Sequence, residues 1–245
     1  MKLNQPSRSM VHRASWVDFV EKAVELLSEI ETELKLPAVW KQYVKREGFW
    51  NAKTRDGPGK MPVLVPSENA ITHAIEETAE KILKRKRLED ASLPELRLDI
   101  QNARRIQPRI GSSALTTDIR IRSHPVDELE MRIEAKVLFA GEDLRSHYTS
   151  HEGLLRFGDS EAPYTDMPIG AMLSYRLKDV DPDWDQRIDA GLESVKEVLR
   201  HGTVTIGREA ILASDLTWGS SDDNNVIVLH LGMDYETQPS CRAGA

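Results

Sequence analysis

The fold is decided by residues 116–139, which read TTDIRIRSHPVDELEMRIEAKVLF. Successive side chains of a strand point to opposite faces, so Ile119 and Ile121 share one face while Asp118 lies on the other. A second alternating segment follows Pro125, and its apolar face consists of Met131, Ile133, Ala135, Val137 and Phe139. Proline and the polar residues near it favour a turn between the segments. The pattern predicts an antiparallel hairpin with one buried and one polar face.

Three polar side chains of this hairpin are expected to converge. Glu134 and Lys136 lie on one face of the second strand, and antiparallel pairing brings Asp118 of the first strand toward Glu134. Two neighbouring carboxylates repel each other unless a divalent cation lies between them, and Mg²⁺ accepts carboxylates together with water and phosphate oxygens. Such an ion activates water and neutralises charge on a phosphoryl group. The arrangement favours phosphodiester hydrolysis, with Lys136 orienting the attacking water.

The order of these residues resembles the PD-(D/E)XK nuclease superfamily, which has the restriction-endonuclease-like fold. The resemblance is carried by Asp118, the short hairpin and the triplet Glu134-Ala135-Lys136, and Thr117 stands where the motif name has proline. It implies that Asp118 and Glu134 bind Mg²⁺, with Mn²⁺ as a substitute, and that the carbonyl of Ala135 joins them. Lys136 would then assist the attacking water.

The hairpin also has a plain structural interpretation. An edge hairpin with a solvated face of glutamate, lysine and arginine is common in α/β proteins. A second acidic-x-Lys triplet, Glu33-Leu34-Lys35, lies in a helical pattern without a strand aspartate before it. Context therefore distinguishes the two triplets, while the hairpin alone leaves both interpretations open.

A helix opened by Pro66 and Ser67 is predicted to face the sheet. Its apolar stripe consists of Ile71, Ile75, Ala79 and Ile82. Glu68 lies three residues before Ile71 on the same stripe, so it faces inward. In the resembling nucleases the first core helix supplies an acidic residue to the metal site, which implies that role for Glu68. The alternative is that the helix dipole alone favours an acidic residue in the first turn.

Residues 144–156 read as a polar helical segment that carries Tyr148 and Arg156. The stretch 148–157 and the later Tyr164 resemble a pattern in some bacterial members of this nuclease group. Arg156 is a candidate phosphate ligand because a guanidinium fork matches phosphate oxygens, and Tyr148 is a second candidate for substrate binding. Alternatively, Arg156 pairs only with a nearby acidic residue, Asp159 or Glu161.

Two histidines of the same segment, His147 and His151, have the spacing of neighbours on a helix. A zincin motif requires a glutamate between its two histidines, and none lies between these two, so the sequence does not favour a zinc site there. A hydrolase that uses these histidines without that motif is a third functional hypothesis.

The first 60 residues are predicted to form a helical extension, and residues 61–245 the α/β domain. Residues 1–14 read as a polar leader, Ser15 caps a first helix that ends at Pro37, and a second helix covers residues 39–47. Residues 40–55 interleave basic and aromatic side chains, which either bind nucleic acid or pack against the first helix.

The predicted architecture is a three-layer α/β/α domain with a central mixed sheet, restriction-endonuclease-like, and the resemblance covers roughly residues 66–235. Further strands are predicted at residues 106–110, 169–177, 204–206, 211–213 and 226–233, and a helix at 184–199 ended by Gly202. The pattern over residues 93–101 fits helix or strand. Gln107 is a further candidate for the polar face.

The composition of the chain limits the surfaces and the surroundings that can be expected for it. The chain has 245 residues and a net charge of -7, so any surface that binds nucleic acid must be local. Cys241 is the single cysteine, which excludes a disulfide framework and fits a reducing cytoplasm. No apolar run approaches the length of a membrane span.

The sequence therefore predicts a cytoplasmic, Mg²⁺-dependent nuclease. Its expected partner is nucleic acid, DNA rather than RNA, and a homodimer is a further expectation. The resemblance also implies a setting in restriction, repair or anti-phage defence. The alternative is a non-catalytic subunit that keeps the fold and holds a protein partner or nucleic acid within a larger complex.

Overall fold

The computed structural model describes residues 10–46, 48–50, 53–56, 61–90, 95–104, 115–124, 129–159, 161, 163–178, 180–181, 183–217, 225–236 and 238–239. The helices are α1 Met10–Leu34, α2 Pro37–Val44, α3 Glu68–Glu89, α4 Gly141–Asp143 and α5 Trp184–Glu193. A π-helical turn, Leu144–Tyr148, continues α4, and a 3-10 turn follows at Leu154–Phe157. The strands are β1 Lys53–Asp56, β2 Pro62–Val65, β3 Glu95–Arg104, β4 Leu115–His124, β5 Glu130–Leu138, β6 Ile169–Leu177, β7 Val198–Ile206, β8 Glu209–Thr217, β9 Asn225–Tyr235 and β10 Gln238–Pro239.

A mixed sheet of seven strands is the centre of the described fold, in the order β3-β4-β5-β6-β9-β8-β7. The neighbours β5, β6 and β9 run parallel, and the other pairs are antiparallel. Parallel strands buried on both faces are continuous apolar runs, as β6 is. Both β6 and β9 lie where the sequence predicted strands. A smaller sheet, in the order β1-β2-β10, stands beside the larger one.

Helices cover both faces of the large sheet. On one face α1 and α3 pack against strand residues such as Ile119 and Ile133. On the other face α5 and the π-helical turn bury Trp184 and Tyr148. The predicted α/β class with a mixed sheet is confirmed, and the layering agrees with an α/β/α arrangement.

Several predicted boundaries were wrong. The first helix starts at Met10 rather than after Ser15, and the helix predicted over residues 184–199 ends at Glu193. Leu199 instead lies in β7 with 56% of its surface exposed, because the half-polar alternation of this edge segment suits a strand. Gly202 lies within the same strand, and β7 and β8 are longer than predicted. The ambiguous segment 93–101 contributes to β3, whereas residues 106–110 with Gln107 lie outside the described residues, as does Cys241.

The aromatic residues near the N-terminus pack inward. Tyr43 and Phe49 are buried, and Trp40 stacks on Tyr235 of β9 with ring centroids 5.0 Å apart. Packing therefore explains these rings without a nucleic-acid ligand. The predicted boundary at residue 60 falls between β1 and β2, which pair with each other. In the described part of the chain, no helix combines the length and apolarity needed to cross a membrane.

Candidate active site

The β4–β5 hairpin brings Asp118 close to Glu134. Ile119 pairs with Ile133, and continuing that register places Asp118 opposite Glu134. One carboxylate oxygen of Asp118, Oδ2, accepts a hydrogen bond from the backbone N–H of Ala135 at 2.7 Å. The N–H and C=O of a strand residue point to the same side, so the carbonyl of Ala135 also faces β4.

Lys136 lies on the same face as Glu134. Its Nζ donates a hydrogen bond to Glu134 Oε1 at 2.6 Å, and both side chains are largely buried. Two residues of one strand with the same parity share a face, which is why the spacing in the sequence produces this contact.

Glu68 reaches the hairpin from the first turn of α3. Its Oε2 accepts a hydrogen bond from the backbone N–H of Val137 at 3.3 Å. The helix start is fixed on both sides, because the N–H of Ser67 donates to the carbonyl of Phe49 and the hydroxyls of Thr72 and Tyr175 lie 2.9 Å apart. The structure thus brings Glu68 to β5, beside the hairpin.

Burial makes ionisation of the carboxyl groups costly. Burial and then the nearby charge of Asp118 raise the pKa of Glu134 to about 8. Burial also raises the pKa of Asp118, against the backbone hydrogen bond from Ala135. The pKa of Glu68 is raised by burial, with Lys136 opposing the shift. All three groups therefore hold their protons more tightly than exposed carboxyls do.

The surroundings of Lys136 favour its charged form. Burial disfavours its charged form, but the carboxylates around it, Glu134 first and then Glu68, outweigh burial and raise its pKa. The ammonium group therefore stays charged across the physiological range.

The donor set fits a small divalent cation. Three carboxyl groups, those of Glu68, Asp118 and Glu134, face the single ammonium of Lys136, so full ionisation leaves negative charge in excess within these four residues. Among the described residues, no ready-made group of three metal-binding side chains is present. Mg²⁺ does not require one, because it is commonly held by one or two carboxylates with water and substrate oxygens. Asp118, Glu134 and the carbonyl of Ala135 are the residues that could hold it.

A cleft of about 580 Å³ opens over Glu68 and Lys136. Its other lining residues are Arg55, Val65, Pro66, Ser67, Val137, Asp143, His147 and Glu152. Arg55 Nη1 bonds both carboxylate oxygens of Asp143 at 2.9 Å, and Asp143 also accepts the backbone N–H of Phe139 at 3.0 Å. The end of β5 is thereby held against β1, with an arginine at the cleft.

Tyr148 does not take the predicted role in substrate binding. It is fully buried, and its hydroxyl lies 3.1 Å from His230 Nδ1. The other ring nitrogen of His230, Nε2, lies within hydrogen-bond distance of the Ser214 hydroxyl, at 2.9 Å. The π-helical turn directs the side chain into the core rather than toward the cleft.

Arg156 has a different position from the one expected of a simple surface ion pair. Its Nε is buried and has no hydrogen-bond partner among the described residues. Its charge lowers the pKa of Tyr164, which burial and then Glu134 raise. Arg156 therefore lies near Tyr164, and Tyr164 near Glu134. Asp159 accepts a hydrogen bond from the N–H of Glu161 at 2.8 Å.

The two histidines do not act as a pair. His147 lines the cleft, and its Nδ1 lies 3.0 Å from Glu152 Oε2. His151 is exposed in the turn that follows. This geometry gives no support to a site built on both imidazoles.

Sequence reasoning missed several residues of the site. Tyr164 was noted only as part of a pattern, although it is buried beside Glu134. Arg55 belonged to the basic and aromatic stretch, and only the fold shows that it reaches Asp143 from 88 residues away. Asp143, four positions after Phe139, could have been found from the sequence, because an acidic residue there can accept backbone N–H groups at the start of a helix.

Comparison of the chain with protein-family models, curated proteins and solved structures finds no match.

Proposed function

We propose that the chain is a Mg²⁺-dependent nuclease with a restriction-endonuclease-like fold that hydrolyses phosphodiester bonds, in DNA rather than RNA. The observation that supports this most is that Asp118, Glu134 and Lys136 cluster on the β4–β5 hairpin, and that Lys136 lines one cleft together with Glu68 of α3. Side chains from a hairpin and from a helix meet there, although burying them together raises the pKa of all three acids. Perturbed acids at a cleft are typical of catalytic sites.

Each residue of the proposed site has a role that follows from its chemistry. Asp118 and Glu134 would hold Mg²⁺, and Glu134 would have to release its proton before it could do so. When bound there, Mg²⁺ would supply the chemistry of water activation and of charge neutralisation on a phosphoryl group. Lys136 keeps its charge and donates hydrogen bonds that position the nucleophile. Glu68 accepts hydrogen bonds at the opposite wall, directly or through water.

The order of the elements supports the finer fold assignment. The helix α3, which begins with Glu68, precedes the antiparallel strands β3, β4 and β5, and β6 then joins β5 in parallel. The acidic and lysine residues lie on the central part of this arrangement, as the resemblance to PD-(D/E)XK nucleases implies. Restriction, repair or anti-phage defence is the setting that this proposal carries with it.

A second candidate is a non-catalytic subunit with the same fold. It is favoured by the hydrogen bonds that the three acids already accept within the chain. Asp118 accepts one from the backbone N–H of Ala135, Glu134 accepts one from Lys136, and Glu68 accepts one from the backbone of β5. Such a subunit would bind a protein partner or nucleic acid without cutting.

The test is cleavage of DNA by the purified chain. Plasmid DNA, single-stranded DNA and RNA are incubated with Mg²⁺, with Mn²⁺ or with chelator, and the variants Asp118→Asn and Lys136→Ala are compared with Glu161→Gln, an exposed control. We expect metal-dependent DNA cleavage that both site variants lose and the control keeps. Cleavage that survives Asp118→Asn contradicts the proposal, and nucleic-acid binding without cleavage supports the second candidate.

A further inference from the structure

Arg156 lies in the 3-10 turn Leu154–Phe157, which directly follows the cleft-lining segment of the chain. Its backbone N–H donates to the carbonyl of Gly153 at 3.1 Å, and its own carbonyl accepts the N–H of Tyr164 at 3.1 Å. Both ends of the turn are buried, and the ring of Phe157 meets the ring of Tyr164 with centroids 5.2 Å apart. The backbone of Arg156 is therefore held in place on both sides.

Arg156 differs from the other arginines that are removed from solvent. Where the structure describes the side chain, six arginines are buried or half-buried, and five of them form an ion pair with a carboxylate: Arg55, Arg120, Arg122, Arg132 and Arg176. Arg156 is the sixth, and it forms no ion pair within the described residues, where its buried Nε also has no hydrogen-bond partner. The alternative expected from the sequence, a pair with Asp159 or Glu161, is therefore not formed.

A guanidinium group in these surroundings attracts an anion. Removing it from water costs free energy that a carboxylate normally offsets, and no described carboxylate does so for Arg156. Attraction between opposite charges is stronger where water is partly excluded. The planar fork of donors matches two oxygens of one phosphate group. A phosphate group of a ligand therefore fits Arg156 better than any acidic group of the described chain.

Tyr164 connects Arg156 with the carboxylate site. Tyr164 is 7% exposed, and its hydroxyl donates to the carbonyl of Glu152, a cleft-lining residue, at 3.3 Å. The pKa of Tyr164 is raised by burial and then by Glu134, whereas the charge of Arg156 lowers it. Glu134 and Arg156 therefore both lie close to Tyr164. A phosphate bound at Arg156 would thus lie near the carboxylates.

We infer that Arg156 binds a phosphate group of the DNA backbone next to the carboxylates of the β4–β5 hairpin. DNA as the source of this phosphate rests on the proposed function. A contact between a guanidinium and a phosphate is independent of base sequence and weakens with salt. DNA binding by Arg156 is measurable without cleavage.

The experiment measures the affinity of the chain for a fluorescent DNA duplex by anisotropy at several salt concentrations, with chelator present so that no Mg²⁺-dependent cleavage occurs. The test variant is Arg156→Gln, which removes the charge and keeps a polar side chain. Arg156→Lys keeps the charge without the guanidinium fork. The matched control is Arg208→Gln, at an exposed arginine of the turn between β7 and β8.

Arg156→Gln should weaken DNA binding about 10- to 100-fold, the usual effect of losing a hydrogen-bonded contact to a charged group. Loss of one phosphate contact should lower the slope of log affinity against log salt by about 0.9. Arg156→Lys should keep that slope while losing part of the affinity, and Arg208→Gln should match the parent. An unchanged slope in Arg156→Gln, or an equal fall in Arg208→Gln, overturns the inference.

Thermal unfolding distinguishes phosphate binding from a structural role of Arg156. A half-buried guanidinium without an ion pair does not stabilise the fold, so Arg156→Gln should unfold at the temperature of the parent or above it. A lower unfolding temperature together with weaker binding would show that Arg156 supports the fold, and that result also overturns the inference.

The result is separable from that of the cleavage test. If Asp118-dependent cleavage is found but the Arg156 variants bind DNA normally, only the role of Arg156 is rejected. If no cleavage is found but Arg156→Gln loses binding, the phosphate contact stands and the nuclease proposal fails.

Discussion

The ammonium nitrogen of Lys136 lies 2.6 Å from Glu134 Oε1, within a site that buries both side chains. The ion pair therefore couples the group proposed to hold the metal to the group proposed to position water. Removing either partner changes the protonation of the other, so the two roles cannot be separated by one substitution.

Lys136→Ala should abolish cleavage with little loss of fold. The lone Glu134 takes up a proton instead of remaining a buried charge, since its pKa is already raised to about 8. Loss of a group aimed at the reacting atoms costs roughly 10²-fold or more in rate. The measurement is single-turnover DNA cleavage alongside circular dichroism. Cleavage at the parental rate would remove Lys136 from the mechanism.

Metal affinity should rise with pH up to about 8. The metal displaces the proton of Glu134, so affinity increases roughly tenfold per pH unit below that pKa and levels off above it. Calorimetric titration with Mn²⁺ between about pH 6 and pH 9 measures this slope. Glu134→Gln should bind weakly with no such slope, and a pH-independent affinity in the parent would contradict the assignment of Glu134 as ligand.

The same group sets a pH dependence of stability without metal. Because the folded-state pKa of Glu134 is raised from 4.5 to about 8, the folded chain holds a proton that the unfolded chain releases. The contribution of this group is therefore present below about pH 4.5 and is lost as pH rises toward and through 8. Chemical denaturation at about pH 5 and pH 9 should show a smaller loss of stability at high pH for Glu134→Gln than for the parent.

Asp143→Ala should destabilise the chain by about 3 kcal/mol. The change leaves Arg55 without its carboxylate and removes the acceptor of two backbone N–H groups, from Phe139 and Ala140. Urea denaturation measures the effect. The control is Asp18→Ala, which removes an exposed pair with Lys22 and should cost at most about 0.5 kcal/mol. Equal effects would show that the Asp143 contacts do not hold the end of β5.

Tyr148→Phe should leave cleavage unchanged while lowering stability by about 1–2 kcal/mol. The substitution removes the hydroxyl that meets His230 in the core. His230 stays neutral above about pH 4, because burial lowers its pKa to about 3. Thermal unfolding and cleavage assays on one preparation check both parts, and a loss of cleavage at full stability would restore the role in substrate binding.

The hairpin and the inward stripe of α3 could be predicted from the sequence because each depends on local periodicity. Alternation placed Asp118, Glu134 and Lys136 on one face, and the helical spacing from Ile71 placed Glu68 inward. The partners of Arg55 and the burial of Tyr148 and Tyr164 could not be predicted, since they depend on contacts between distant segments. The helix predicted through Leu199 failed for another reason: a short half-polar segment fits both periods, and pairing with β8 decides between them.

The β10 strand pairs with β2, the strand that leads directly into Glu68. Residues 238 and 239 therefore supply the last strand of the small sheet, far along the chain from the helix start beside which that sheet lies. A chain shortened before residue 238 would lose this strand, and the start of α3 would then be held by the Ser67–Phe49 hydrogen bond and the Thr72–Tyr175 contact.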